Sequence, residues 1–247
     1  MKEVAVVGLG QIGGSIVLSF RKRHAPFKLT GIDISSKRLK LLRPVLDHIS
    51  DSWSAAINAD LTILCLHYEQ TRKFLQQALP DRLLMDVCSG KSKLMRLANR
   101  KKLRFIGAHP MAGNEFAGEK GWREDLFQSA PFFLCPGTDS LKEDLKTVYR
   151  IVRILGGRPK IVDPDKHDRF MSTTSHFPAF LSSLIKERAQ DIPAVYQGPG
   201  FRSMIRLAAT SPALLDTFAN SNRVNVVREA EELRKSLDRF LRAYKKA

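Results

Sequence analysis

Cysteine is scarce in this chain, and the three present are poorly spaced for structural chemistry. Cys65, Cys88 and Cys135 are odd in number and form no CxxC pair, which excludes a disulfide framework and a thiolate zinc site. No apolar run reaches the length that spans a bilayer, so no membrane association is expected. The start, Met1-Lys2-Glu3 leading directly into Val4-Ala5-Val6-Val7-Gly8, lacks the basic segment, apolar stretch and small-residue cleavage site of an export signal. A reducing cytoplasm is the expected location. Acidic residues are also in deficit, 25 against 41 lysines and arginines, for a net charge of +16. The densest basic clusters, Arg21-Lys22-Arg23-His24 and Arg100-Lys101-Lys102-Leu103-Arg104, have no interleaved aromatics on which bases would stack. Nucleic acid is therefore not the expected partner, and the charge suits an anionic small-molecule substrate or solvated helix ends.

What is present is an ordinary globular composition, 43% hydrophobic and 27% charged, which argues against disorder. Short apolar runs alternate with amphipathic stretches as far as about Val162. The runs are Val4 to Val7, Leu29 to Asp33, Leu61 to Leu66, Leu83 to Val87, Phe105 to Ala108, Pro131 to Cys135 and Pro159 to Val162. Gln70 to Ala78 and Leu141 to Leu155 carry apolar residues at helical spacing between them. Such alternation predicts an α/β domain with a doubly wound sheet. Beyond Asp163-Pro164 the strand-like runs stop, which predicts an α/β domain over 1–163 and a smaller all-α domain over 164–247. Near the end, Val226, Ala230, Leu233, Leu237, Phe240 and Tyr244 recur at steps of four and three. That narrow seam suits a helix partner, either within the subunit or across a homodimer, and a homodimer is expected.

Gly8-Leu9-Gly10-Gln11-Ile12-Gly13 directly follows the first strand and opens a helix, the context a GxGxxG turn requires. Gly8 permits the tight turn, Gly10 lets the backbone approach a pyrophosphate, and Gly13 allows close helix-to-strand packing; Gln11 and Ile12 complete the loop. Asp33 ends the second strand, where a carboxylate can accept from ribose hydroxyls and repels the extra phosphate of NADP. The first domain is thus expected to be of the Rossmann type and to bind NAD. Ser35, Ser36, Lys37 and Arg38 follow closely and are suited to phosphate, which keeps NADP as the less favoured cofactor. No metal site is expected.

Three further segments bear chemistry. Asp86-Val87-Cys88-Ser89-Gly90-Lys91 follows one strand, and His109-Pro110-Met111-Ala112-Gly113 follows the next. The helical part holds Ser175-His176-Phe177-Pro178 and Gly198-Pro199-Gly200-Phe201-Arg202-Ser203-Met204-Ile205-Arg206. In the order and spacing of these motifs, over essentially its whole length, the chain resembles the prephenate/arogenate dehydrogenases. The resemblance implies an oxidative decarboxylation in tyrosine biosynthesis, in which hydride passes from the ring carbon bearing the hydroxyl to the nicotinamide, carbon dioxide leaves and the ring becomes aromatic. It also implies that His109 hydrogen-bonds the substrate hydroxyl, that Ser89 contacts both, and that Arg206 holds the ring carboxylate. Ser175 and Asn114 join the substrate pocket.

Departures from the family pattern gather at the side-chain end of that pocket. Ala179 stands where many relatives have a second histidine, Asn114 where threonine is frequent, Leu215 where tryptophan is frequent, and Pro199 interrupts a usual triple glycine. Prephenate is the expected substrate, with arogenate or an amino analogue of prephenate as alternatives. A β-hydroxyacid or imine-reducing dehydrogenase would share the architecture but relies on a helical-domain lysine, and Lys166 and Lys186 lack a recognisable setting for that role. A nucleotide-sensing protein without catalysis is the rival outside enzymes; His109, Ser89 and Arg206 argue against it.

Overall fold

The computed structural model describes residues 1–56, 59–114 and 116–245, in two compact units that divide between Pro164 and Asp165. In the first unit eight strands form one sheet: β1 (Glu3–Val7), β2 (Lys28–Ile32), β3 (His48–Ser50), β4 (Leu61–Leu64), β5 (Leu83–Asp86), β6 (Phe105–Pro110), β7 (Pro131–Pro136) and β8 (Arg158–Ile161), in the order β3-β2-β1-β4-β5-β6-β7-β8. The first six run parallel, joined in part by helices α1 (Gln11–Lys22), α2 (Ser36–Leu42), α3 (Tyr68–Gln77) and α4 (Ser92–Arg100). α5 (Lys142–Ile154) links the last two strands, which are parallel to each other.

Burial on both faces explains why the strands read as continuous apolar runs rather than as alternations. Val4, Val6, Leu29, Ile63 and Ile106 pack with Ile16, Val17 and Phe20 of α1 and with Val148 and Ile151 of α5. Ala5, Val7, Ile32, Leu64 and Leu84 point the other way, onto Leu75, Leu94, Met95 and Ala98. Two features depart from the sequence reading. The edge strand β3 was not expected, because His-Ile-Ser carries no apolar run. His109 and Pro110, expected beyond their strand, are its last two residues, paired with Phe133 and Phe132 of β7. β7 runs antiparallel because the described residues of the connection over 111–130 form no α-helix, and a parallel return needs a crossover.

The second unit is helical: α6 (Pro164–Met171) leads into it, followed by α7 (Phe177–Arg188), α8 (Pro199–Met204) and α9 (Pro212–Tyr244). Between α6 and α7 the chain makes a π-helical turn, Ser172–His176. α9 starts with Ser211, whose hydroxyl caps the Leu214 amide, and Pro212, whose missing N–H is harmless at a first turn. It kinks at Asn222 (φ −130°, ψ 25°). The cause is local: the Asn222 amide donates to the Asp168 carbonyl at 2.6 Å and lies 3.1 Å from His176 Nδ1, so a side chain competes with helical geometry.

Candidate functional site

The glycine-rich turn links β1 to α1 at the carboxyl ends of the parallel strands, where an open α/β sheet binds its ligands. Gly8 has φ +90°, and a Cβ there would come within 2.5 Å of the Cys65 carbonyl oxygen. A Cβ on Gly13 would run into the Gly8 carbonyl. Gly10 differs, since a Cβ there would meet nothing within 4 Å; the backbone is bare toward open space. No side chain caps α1 and no carboxylate sits in its first turn, so its amides and helix dipole favour an anion. Asp33 Oδ2 accepts the Leu9 amide at 2.6 Å and Oδ1 the Ser35 amide at 2.7 Å, which braces the turn while lone pairs remain for ribose hydroxyls. These residues fit a dinucleotide.

Gln11 and Ile12 turn their side chains elsewhere. Ile12 packs against the core. Gln11 Nε2 donates to Asn114 Oδ1 at 2.6 Å, to the Asn114 carbonyl at 3.0 Å and to the Phe116 carbonyl at 2.5 Å. Asn114 Oδ1 also accepts the Phe116 amide, and its Nδ2 donates to the Gly121 carbonyl, both at 3.0 Å. The Asn114 carboxamide, expected on the substrate, is thus engaged in stitching its own loop to the start of α1. Trp122 extends that seam: its Nε1 donates to the Gly10 carbonyl at 2.9 Å, and its indole lies so close to Gly14 that a Cβ there would collide with the ring. Trp122 was not singled out in the sequence, although a fourth glycine following GxGxxG hints at a bulky neighbour.

Ser89 and His109 lie on neighbouring strand ends, beyond β5 and within β6. The Ser89 hydroxyl is buried with no hydrogen-bond partner among the described residues. A buried unsatisfied hydroxyl is destabilising unless something else occupies it. His109 is half-buried. The backbone carrying both is fixed by an ion pair that the sequence reading passed over: Lys91 Nζ lies 2.7 and 2.6 Å from the Asp86 carboxylate oxygens and donates to the Ala108 carbonyl at 2.6 Å, with both side chains fully buried. Asp86 in turn accepts the Ala108 and Cys88 amides, each at 3.0 Å. Two opposite charges five residues apart around a strand end were the available signal. Burial pushes the adjacent Cys88 thiol up to about 12, and Asp86 adds to the rise, so Cys88 is no nucleophile.

In the helical unit Ser175 is half-buried in the π-helical turn. Arg206 is exposed at the start of a 3-10 turn and makes no ion pair or hydrogen bond with a described residue. Two residues before it, the Met204 carbonyl accepts from the Ser182 hydroxyl at 2.8 Å. Ala179 is buried. Among the described residues no group of three or more His, Cys, Asp or Glu is placed to hold a metal, and no helix is long and apolar enough to cross a membrane.

His176 is fully buried and stacked on Phe218, with ring centroids 4.3 Å apart. Its Nδ1 accepts from Asn222, so the neutral ring carries its hydrogen on Nε2, which has no partner among the described residues. Burial depresses its pKa from 6.5 to about 4, outweighing the nearby Asp168 carboxylate, which raises it. A folded-state value below the unfolded one means that protons bind the unfolded chain better. The contribution is therefore complete above the unfolded pKa and is lost as pH falls. Between about pH 7.5 and about pH 5 the wild type should lose about 2 kcal/mol through this group, and urea titrations of His176→Phe should show that much less acid sensitivity. Equal slopes for the two proteins would remove His176 as the cause.

A sheet of this order, with a glycine-rich turn after β1 and an acidic residue after β2, defines the first unit as a dinucleotide-binding domain of the α/β type. A family model described as "Prephenate dehydrogenase, nucleotide-binding domain" matches residues 16–161, and another described as "Prephenate dehydrogenase, dimerization domain" matches residues 163–246. The chain is 31% identical over 254 residues to the prephenate dehydrogenase of Lactococcus lactis subsp. cremoris, covering 96% of this chain and 70% of the relative. It is 28% identical over 260 residues to that of Bacillus subtilis, covering 97% and 70%. The crystal structure of A. aeolicus prephenate dehydrogenase with hydroxyphenyl propionate and NAD+ superposes with a TM-score of 0.90 at 24% identity, over 99% of this chain and 92% of that one. This chain belongs to the prephenate dehydrogenase family.

Proposed function

We propose that the chain catalyses the NAD-dependent oxidative decarboxylation of prephenate to 4-hydroxyphenylpyruvate. The observation that carries this reading is the Ser89 hydroxyl just beyond β5, buried without a partner among the described residues, beside the strand that ends in His109-Pro110 and on the same sheet edge as the glycine-rich turn. The bound cofactor supplies the hydride acceptor. Gly8, Gly10 and Gly13, with the Gln11 and Ile12 amides, hold the pyrophosphate, and Asp33 the adenosine ribose. A neutral His109 accepts the hydrogen bond of the substrate hydroxyl and stabilises the charge that develops as hydride departs. Ser89 orients that hydroxyl, Arg206 binds the ring carboxylate, and Ser175 offers a further polar contact; Asn114 acts through the loop it organises.

The helical unit is proposed to pair with a second copy of the chain, because Leu237, Phe240 and Tyr244 of the α9 seam are more than half exposed in the single chain and the matching family model is a dimerisation domain. The working place is the cytoplasm, where the three free thiols stay reduced.

The test is formation of reduced cofactor by purified protein incubated with prephenate or arogenate and NAD or NADP. Prephenate with NAD should be the best pair. His109→Asn should lower kcat roughly 100-fold with little change in substrate KM. If no pair reduced its cofactor the proposal would fail, and near-normal kcat in the variant would demote His109 to a structural residue.

A further inference from the structure

Lys37 and Arg38 stand four and five residues beyond Asp33, where cations commonly engage the 2′-phosphate of NADP, and the proposed reaction gives them no task. In the structure they are not open cations. Glu119, on the 3-10 turn Gly118–Gly121, reaches across to α2: one carboxylate oxygen accepts from Lys37 Nζ at 2.5 Å and the other lies 3.4 Å from Arg38 Nε. Arg38 Nη1 also lies 3.5 Å from Asp33 Oδ2, so the guanidinium sits between two carboxylates. Gly118, at φ +61°, brings the turn so close that a Cβ there would lie 3.0 Å from Arg38 Nη2. The hydrogen bond from Lys37 is the largest cause holding the Glu119 carboxyl down at about 2, so the cluster stays charged at working pH.

We infer that Glu119 determines cofactor choice by occupying Lys37 and Arg38, so that NADP is rejected by two carboxylates, Asp33 and Glu119, rather than by Asp33 alone. The inference rests on the proposed dinucleotide site and deepens it. With Glu119 the four side chains sum to zero charge, and a 2′-phosphate dianion must compete with a carboxylate already seated on both cations. Without it the sum is +1, and Arg38 presents a planar fork suited to phosphate. Lys37 is 70% exposed at its side chain and Arg38 32%, so screening weakens the Lys37 contribution and Arg38 carries most of the effect.

The experiment is calorimetric titration of the purified chain with NADH, NADPH, 5′-AMP and 2′,5′-ADP, the last two probing the adenosine end without any turnover. Wild type should bind NADH more tightly than NADPH and 2′,5′-ADP no better than 5′-AMP. Glu119→Gln should tighten NADPH and 2′,5′-ADP by about tenfold while leaving NADH within about twofold, and high salt should shrink the gain. Glu119→Ser should behave alike, and adding Arg38→Gln should abolish the gain in either. Circular dichroism checks folding of each variant. Unchanged discrimination in both folded Glu119 variants would overturn the inference and leave the NAD reading intact. Wild type already preferring NADPH would also overturn it, with the dinucleotide site still standing. Binding of neither dinucleotide would remove the site itself and the inference with it.

Discussion

Lys91→Met is expected to destabilise the first unit by about 3 to 5 kcal/mol, the range for removing one partner of a buried ion pair. The ammonium is replaced by a chain of similar length, so little volume changes. What changes is that the Asp86 carboxylate, fully buried, keeps the Ala108 and Cys88 amides but loses its counter-charge. The pair need not stabilise the fold relative to an apolar pair of the same shape. Asp86→Asn/Lys91→Met should therefore be less unstable than the sum of the single changes, because neither charge is then stranded. Chemical denaturation of the four proteins of this cycle measures the coupling. Against a typical total of about 5 to 15 kcal/mol, the single variant should remain partly folded at low temperature. Its kcat should fall even where it is folded, since Lys91 also fixes the Ala108 carbonyl next to His109. A loss under about 1 kcal/mol in Lys91→Met would show that water or local rearrangement solvates Asp86, and that the pair does not hold the site.

The position of that pair illustrates what the sequence could and could not reveal. The turn from Gly8 to Gly13, the carboxylate at Asp33 and the apolar runs of seven strands are local patterns, set by backbone conformation and by burial on both faces of a sheet. They were legible because a few consecutive residues determine them. β3 was missed because only Ile49 of its three residues is apolar. The antiparallel turn of β7 was missed because it depends on a connection having no helix, an absence that a string of residues states weakly. Long-range side-chain contacts were hidden for a different reason. Gln11 and Asn114 meet across 103 positions, and Lys37 and Glu119 across 82, so nothing near either residue announces its partner. Gln11 is a cofactor residue by its place in the motif, through its backbone, while its side-chain carboxamide reaches away to Asn114 and the Phe116 carbonyl. Likewise the Asn222 kink accompanies buried contacts of its side chain with the Asp168 carbonyl and His176, which no periodicity encodes.

Arg206→Gln is expected to raise the KM for prephenate roughly 30- to 1000-fold, the equivalent of about 2 to 4 kcal/mol for losing a charge-assisted bidentate contact. An exposed arginine is ordinarily a solvated one, and that reading predicts almost no effect. Two observations favour the larger outcome. Some guanidiniums have acidic partners, Arg21 with Asp47, Arg38 with Glu119 and Arg104 with Asp144, whereas Arg206, like several others, has none among the described residues. The chain just before it is nevertheless held, by the Ser182 hydroxyl on the Met204 carbonyl, and Arg206 opens a 3-10 turn. A cation that is positioned without a partner suits a ligand's negative charge, and prephenate brings two carboxylates that must exchange water for something. Because the ring carboxylate is bound before reaction and then departs as carbon dioxide, the contact stabilises the ground state as well as the transition state. The loss should therefore fall on KM more than on kcat. Arg206→Lys keeps the charge but not the planar fork, and should recover only part of the affinity. Steady-state kinetics of both variants, with circular dichroism to verify folding, decides the matter. If both folded variants kept KM within about threefold of wild type, less than ~0.7 kcal/mol, the ring carboxylate would have to be held elsewhere, and Arg202, whose Nε donates to the Gln197 carbonyl at 2.8 Å, would be the next cation to replace.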